Sequence, residues 1–173
     1  MFHKLIFAMF LFMAITVKAQ DIFEISRTGN VEALEEFNKL NPGKLNSLND
    51  QGYTPLMLAA YHGRLKTATY LVNNKAELNI NSNYGTPVMA AAIKGNKEIV
   101  KILLDNGADP NITDTKGNTA LLYASIFNLN HIAELLLKAG ANPQLKDARG
   151  NMALDYAILK ENENLIKLLN QYK

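Results

Sequence analysis

Apolar residues return along this chain in short blocks at a fixed interval of 32–33 residues. The first kind of block mixes large and small side chains: Thr54-Pro55-Leu56-Met57-Leu58-Ala59-Ala60, Thr86-Pro87-Val88-Met89-Ala90-Ala91-Ala92, Thr119-Ala120-Leu121-Leu122-Tyr123-Ala124-Ser125 and Met152-Ala153-Leu154-Asp155-Tyr156-Ala157-Ile158. Their first residues lie 32, 33 and 33 positions apart. A second, bulkier block follows in phase as Tyr70-Leu71-Val72, Ile102-Leu103-Leu104 and Leu135-Leu136-Leu137. Within a unit the spacing is helical. Ile99, Val100, Ile102, Leu103 and Leu104 fall on one side of a helix predicted from Glu98 to Leu104. The block before it opens with Thr86-Pro87, a capping hydroxyl followed by a residue that needs no N–H partner, and so predicts a first helix. Val88, Ala91 and Ala92 are small, as close packing between the first helices of adjacent units requires.

Turn residues keep the same phase. Gly63, Gly95, Asn128 and Glu161 separate the two helices of each unit, and Gly107 ends a second helix. Glycine takes the left-handed conformation at low strain, and asparagine tolerates it. Each unit is therefore two short antiparallel helices and an extended, hairpin-like loop. No unit can bury its apolar face alone, so the units must stack. The ends read as caps. Asp21–Leu40 is a helix pair around Thr28-Gly29-Asn30, and the last unit sets Leu165, Ile166, Leu168 and Leu169 among charged and amide side chains. This gives an all-α solenoid of about five helix-turn-helix units: an N-terminal cap over 20–48, repeats over 49–80, 81–113 and 114–146, and a C-terminal cap over 147–173.

Lys75-Ala76-Glu77-Leu78-Asn79, Gly107-Ala108-Asp109-Pro110-Asn111 and Gly140-Ala141-Asn142-Pro143-Gln144 complete the pattern. Together with the Thr-Pro-Leu blocks they resemble the ankyrin repeat, with its Thr-Pro-Leu-His-x-Ala-Ala and Gly-Ala-Asp-x-Asn segments. The resemblance spans nearly all of the chain after residue 19. The family's loop-bridging His is replaced here by Met57, Met89, Leu122 and Asp155, which exchanges polar bridging for apolar packing. Asp155 is read as a loop-bonding residue, since Ala-Leu-Asp is common in a last ankyrin repeat. In the second repeat Tyr84 stands where Gly is usual and Gly85 follows one place later, so that hairpin tip is expected to bend differently.

The first 19 residues are of another kind. Lys4 precedes an apolar run from Leu5 to Val17, broken only by Thr16, and Val17-Lys18-Ala19 follows. Thirteen residues make a helix of about 20 Å, short of the roughly 30 Å hydrocarbon core. Residues 1–19 are therefore expected to be a signal peptide cut after Ala19, which places the chain in the periplasm or outside the cell. Cleavage would remove Lys4 and Lys18, taking basic residues from 18 to 16 against 16 acidic ones and the net charge from +2 to zero. No basic run tracks a phosphate backbone or an anionic bilayer, so neither nucleic acid nor membrane is an expected partner. The chain has no Cys, which excludes disulfides, thiolate metal sites and thiol nucleophiles.

Catalytic chemistry is equally unsupported. His62 and His131 occupy different repeats and different positions within them, and no nucleophile–base pair or phosphate-cradling loop is present. Neither enzyme activity nor a cofactor is expected. What the resemblance implies is a concave binding face made of hairpin tips and the ends of the inner helices. By position that face comprises Gln51, Tyr53, Tyr61 and His62; Asn83, Tyr84, Ile93 and Lys94; Lys116, Asn118, Ile126 and Phe127; and Arg149 and Asn151. Tyr53, Tyr61, Ile93, Ile126 and Phe127 form an aromatic and apolar track across it, suited to a protein partner. The competing expectation is that Ile93, Ile126 and Leu159 pack together as core. Family members in bacterial envelopes are often linked to protecting or inhibiting a partner, and the expected function is protein binding by a monomer. A haem or small-ligand binder using His62 beside Tyr61, an inhibitor of a toxin and a self-assembling element are the alternatives.

Overall fold

The computed structural model describes residues 21–172, which form ten helices in five antiparallel pairs. The inner helices are α1 (Ile22–Thr28), α3 (Pro55–Tyr61), α5 (Pro87–Ile93), α7 (Ala120–Ile126) and α9 (Ala153–Leu159). The outer ones are α2 (Val31–Leu40), α4 (Leu65–Asn73), α6 (Lys97–Asp105), α8 (Asn130–Lys138) and α10 (Glu163–Asn170). Inner helices stack on inner and outer on outer, each pair touching the pairs beside it in the chain. Helices of 7–10 residues are too short to persist alone, so stacking is what holds them.

Side-chain caps start α3 and α7, whereas the Thr86 hydroxyl, expected to cap α5, is buried without a hydrogen-bond partner. The Thr54 hydroxyl accepts from the Met57 amide at 3.1 Å and that of Thr119 from the Leu122 amide at 3.2 Å. The turns after the inner helices are left-handed at Gly63, Gly95, Asn128 and Glu161, with φ of 68°, 73°, 59° and 54°. Between the inner helices the contact residues are Ala59, Ala60, Ala91, Ala92, Ala124 and Ser125, all fully buried. Leu71, Val100, Leu103, Leu136, Leu165 and Leu169 fill the space towards the outer layer.

Two polar ladders run between repeats, and periodicity did not disclose the bonds of either. On the loop side, Asn46, Asn79 and Asn111 each accept from the backbone amide of the next unit: Glu77 at 2.8 Å, Asp109 at 2.9 Å and Asn142 at 2.7 Å. At the turn side, Arg64 donates to the Arg27 carbonyl at 2.9 Å and Asn96 to the Ala60 carbonyl at 2.6 Å, while Asn162 donates to the Asn130 side chain at 2.6 Å. Each such bond contributes only about 1 kcal/mol, but together they fix the register between repeats.

Two expectations are refined. The tip of the second repeat closes between Ser82 and Gly85, whereas the others close from Asn49 to Tyr53, Asp114 to Asn118 and Asp147 to Asn151. This tip is one residue shorter, which accounts for the 32-residue spacing. Gly85 has φ of 95°, and a Cβ there would sit 2.3 Å from the Met89 sulfur. Asp155, expected to bond between loops, instead caps its own helix by accepting from the Met152 amide at 2.7 Å, and it is exposed. With Asp155 at the third position of α9, the amide at the helix start lies within reach, so a local bond wins over a distant one.

Candidate functional site: an aromatic groove across three repeats

Tyr53 and Tyr84 project from successive hairpin tips, and their rings stack with centroids 4.9 Å apart and planes 28° from parallel. One helix length away, Tyr61 ends α3 and meets His62 edge-on at 5.3 Å. The Lys94 ammonium, just past α5, lies 4.9 Å from the Tyr61 ring centroid, within cation–π range. In the next repeat Tyr123 and Phe127 stack at 6.4 Å with planes 10° apart. Between the tips and the inner helices runs an open groove of about 580 Å³. Tyr53, Tyr61, Tyr84 and Tyr123 line it, with Met57, Ala90 and Ile93 along the helix side and Lys116 at the far tip.

Asp114 lies within this lining but turns inward and is 8% exposed. Its carboxylate accepts from the Tyr123 hydroxyl at 2.5 Å and from the Lys116 and Asn118 amides at 2.8 Å each. Burial pushes its pKa up, but these hydrogen bonds outweigh burial and hold it below the usual carboxylate range. Burial and the same bond push Tyr123 up to about 12. The last repeat repeats the arrangement: Asp147 accepts from the Tyr156 hydroxyl and from the Arg149 and Asn151 amides, and chiefly the tyrosine bond depresses its pKa. Burial and the charges of Arg27, Arg64 and Lys94 lower the His62 pKa and favour a neutral imidazole. Tyr53 is raised by burial, then by its tyrosine neighbours.

A family model described as ankyrin repeats (3 copies) matches residues 22–114 and 89–173. The chain belongs to the ankyrin-repeat family. Curated relatives include the ankyrin repeat and SAM domain-containing protein 6 of Rattus norvegicus, 39% identical over 59 residues, which are 34% of this chain and 7% of that protein. Its Mus musculus counterpart is 37% identical over 59 residues, with the same shares of both chains. The match thus spans only a small fraction of either relative's length. Ankyrin repeats are generally protein–protein interaction modules, and the family is typically non-enzymatic.

In this ankyrin array, Tyr53, Tyr61, His62, Asn83, Tyr84, Ile93 and Lys116 come together in the groove. Lys94 and Phe127 stand beside it through their contacts with Tyr61 and Tyr123. Gln51 and Arg149 are exposed outside its lining, and Ile126 and Asn151 are half-buried outside it. Asn118 is a correction. Expected on the open face, it is buried, with its amide group donating to the Asp114 carboxylate at 3.2 Å and 3.3 Å. Ile93, Ile126 and Leu159 do not form a shared core either, since the first two are half-buried and Leu159 is 74% exposed. Sequence reasoning missed Tyr123 and its Asp114 partner, although the signal was present: Asp, then Asn four and Tyr nine positions later, occurs at both Asp114 and Asp147. Among the described residues no group of three potential metal ligands forms, and no helix is long and apolar enough to cross a membrane.

The two Asp–Tyr pairs make stability pH-dependent. A carboxylate held below its unfolded value of about 3.9 contributes fully above that pH, and the contribution is lost as pH falls through the folded pKa. A phenol raised to about 12 contributes below its unfolded value of about 10, and this is lost as pH rises towards the folded value. Urea midpoints should therefore fall below about pH 4 more steeply for the native chain than for the Asp114→Asn, Asp147→Asn double variant, and Tyr123→Phe should flatten the alkaline limb. Parallel curves for all three proteins would contradict the assignment.

Proposed function

We propose that this chain is a non-catalytic binding protein, exported to the periplasm or beyond, which holds a protein partner in the aromatic groove. One observation carries the reading. Tyr61 and Tyr84, which line one cleft, and Phe127, which stacks on the lining residue Tyr123, come from three successive repeats and are 43%, 58% and 49% exposed. Aromatic side chains that each rest against a neighbouring ring but stay open to water are poor folding residues and good interface anchors, since they present large, rigid surfaces at little entropic cost. Family membership supports the same class of function. The test is a pull-down from the native host's envelope fraction with the native chain and a Tyr61→Ser, Tyr84→Ser variant. A protein retained by the first and lost by the second supports the groove as the interface, and equal retention argues against it.

Export rests on the apolar run and on Val17-Lys18-Ala19, all outside the described residues. Intact-mass measurement of the protein from its native host is expected to give a chain beginning at Gln20. A mass that retains Met1–Ala19 would remove the envelope from the proposal.

A further inference from the structure

The charge around the groove is one-sided. Lys94 stands over the Tyr61 ring. The charge of Arg64, whose guanidinium donates to the Arg27 carbonyl of the preceding unit, also reaches His62, while the carboxylate that acts on His62, Glu24, is paired with Arg27. Lys116 lines the opposite tip. Among the described residues the ion pairs are Arg27–Glu24, Lys101–Asp105 and Lys138–Glu134, so none of these three cations is neutralised by a carboxylate. The one acidic side chain in the lining, Asp114, is spent on Tyr123 and on two backbone amides. A chain with 16 basic and 16 acidic residues after Ala19 has no general excess of positive charge, so this imbalance is local. The groove lining includes the phenol rings of Tyr53, Tyr61, Tyr84 and Tyr123, of which Tyr84 is the most exposed to water at 58%.

Resting on the binding role argued above, we propose that the groove accepts an extended protein segment carrying a carboxylate side chain next to proline or aromatic residues. The carboxylate sits at the Arg64–Lys94 end, where a guanidinium and an ammonium group without a carboxylate partner among the described residues meet it. The flat side chains lie against Tyr53 and Tyr84, as proline-rich segments lie in other aromatic-lined grooves. An extended segment fits because the groove is open along its length and crosses repeat boundaries. A basic or phosphate-free polar segment would leave the three cations unmatched. A nucleic acid needs a longer track of charge than three separated groups provide.

The experiment is selection of a random dodecapeptide phage library on the purified protein, followed by anisotropy titration of the recovered peptides. Recovered sequences are expected to place Asp or Glu within a few residues of Pro, Tyr or Phe. Replacing the peptide's acid by Lys, or making Lys94→Glu in the protein, is expected to weaken binding tenfold or more, and pairing the two changes is expected to restore part of the loss. Peptides lacking acidic residues, or acidic peptides that bind Lys94→Glu and Arg64→Glu variants unchanged, overturn the inference. The outcome also separates the two levels of reading. If charge is irrelevant but Tyr84→Ala abolishes binding, the acidic specificity is wrong and the groove remains an interface. If no peptide sensitive to Tyr84→Ala is recovered, the specificity is overturned, and a native partner that likewise ignores Tyr84→Ala overturns the groove too.

Discussion

A chain ending at Lys146 is expected to melt on the order of 10 °C lower than the full array, and less cooperatively. The last helix pair buries Leu165 and Leu169, with α9, carrying Ala153 and Ala157, against α7 and α10 against α8. Removing two leucines' worth of burial costs roughly 3–6 kcal/mol, and each kcal/mol moves the midpoint of a domain this size by about 2–4 °C. The cut also breaks the bond from the Ala148 amide to the Lys116 carbonyl at 2.9 Å and the Asn162–Asn130 bond. Because repeats are stabilised chiefly by their neighbours, the loss spreads beyond the deleted unit. Thermal melting followed by circular dichroism checks this. A truncated chain with the full-length midpoint and slope would show that the last pair is not a cap.

Leu103→Ala is expected to destabilise the fold by about 2–5 kcal/mol, the range for emptying a sealed leucine site. Leu103 is fully buried between α6 and its neighbours. Tyr84→Ala, at a residue 58% exposed, should stay within about 1 kcal/mol of the native chain, because little of its surface leaves water on folding. Urea unfolding at equal m-values reads both. Equal destabilisation by the two changes would place Tyr84 in the core and remove it from the interface.

The difference between those residues marks what the sequence disclosed. Leu103 was legible because a bulky apolar block at a fixed phase has one place to go in a stacked array. Gly63, Gly95 and Asn128 were legible because left-handed backbone restricts the residue type. The Asn46, Asn79 and Asn111 ladder was visible only as a phase marker, since its partners are backbone amides 30–31 residues away, which carry no sequence signature. Asn118 was misplaced for a related reason. Its position put it on a tip, but the direction of its side chain is set by the Asp114 carboxylate beneath. Tyr123 was counted as part of a helix block, while its hydroxyl reaches down to the same carboxylate and its ring faces the groove.

Whether the groove is the interface is tested most directly by titrating the captured partner against Tyr61→Ala, Tyr84→Ala and Phe127→Ala, with melting curves measured on the same preparations. The expected result is a loss of about 2 kcal/mol or more at a hot spot, roughly thirtyfold in affinity, with midpoints within a few degrees of the native chain. Variants that melt early while their folded fraction binds the partner at native affinity would contradict it.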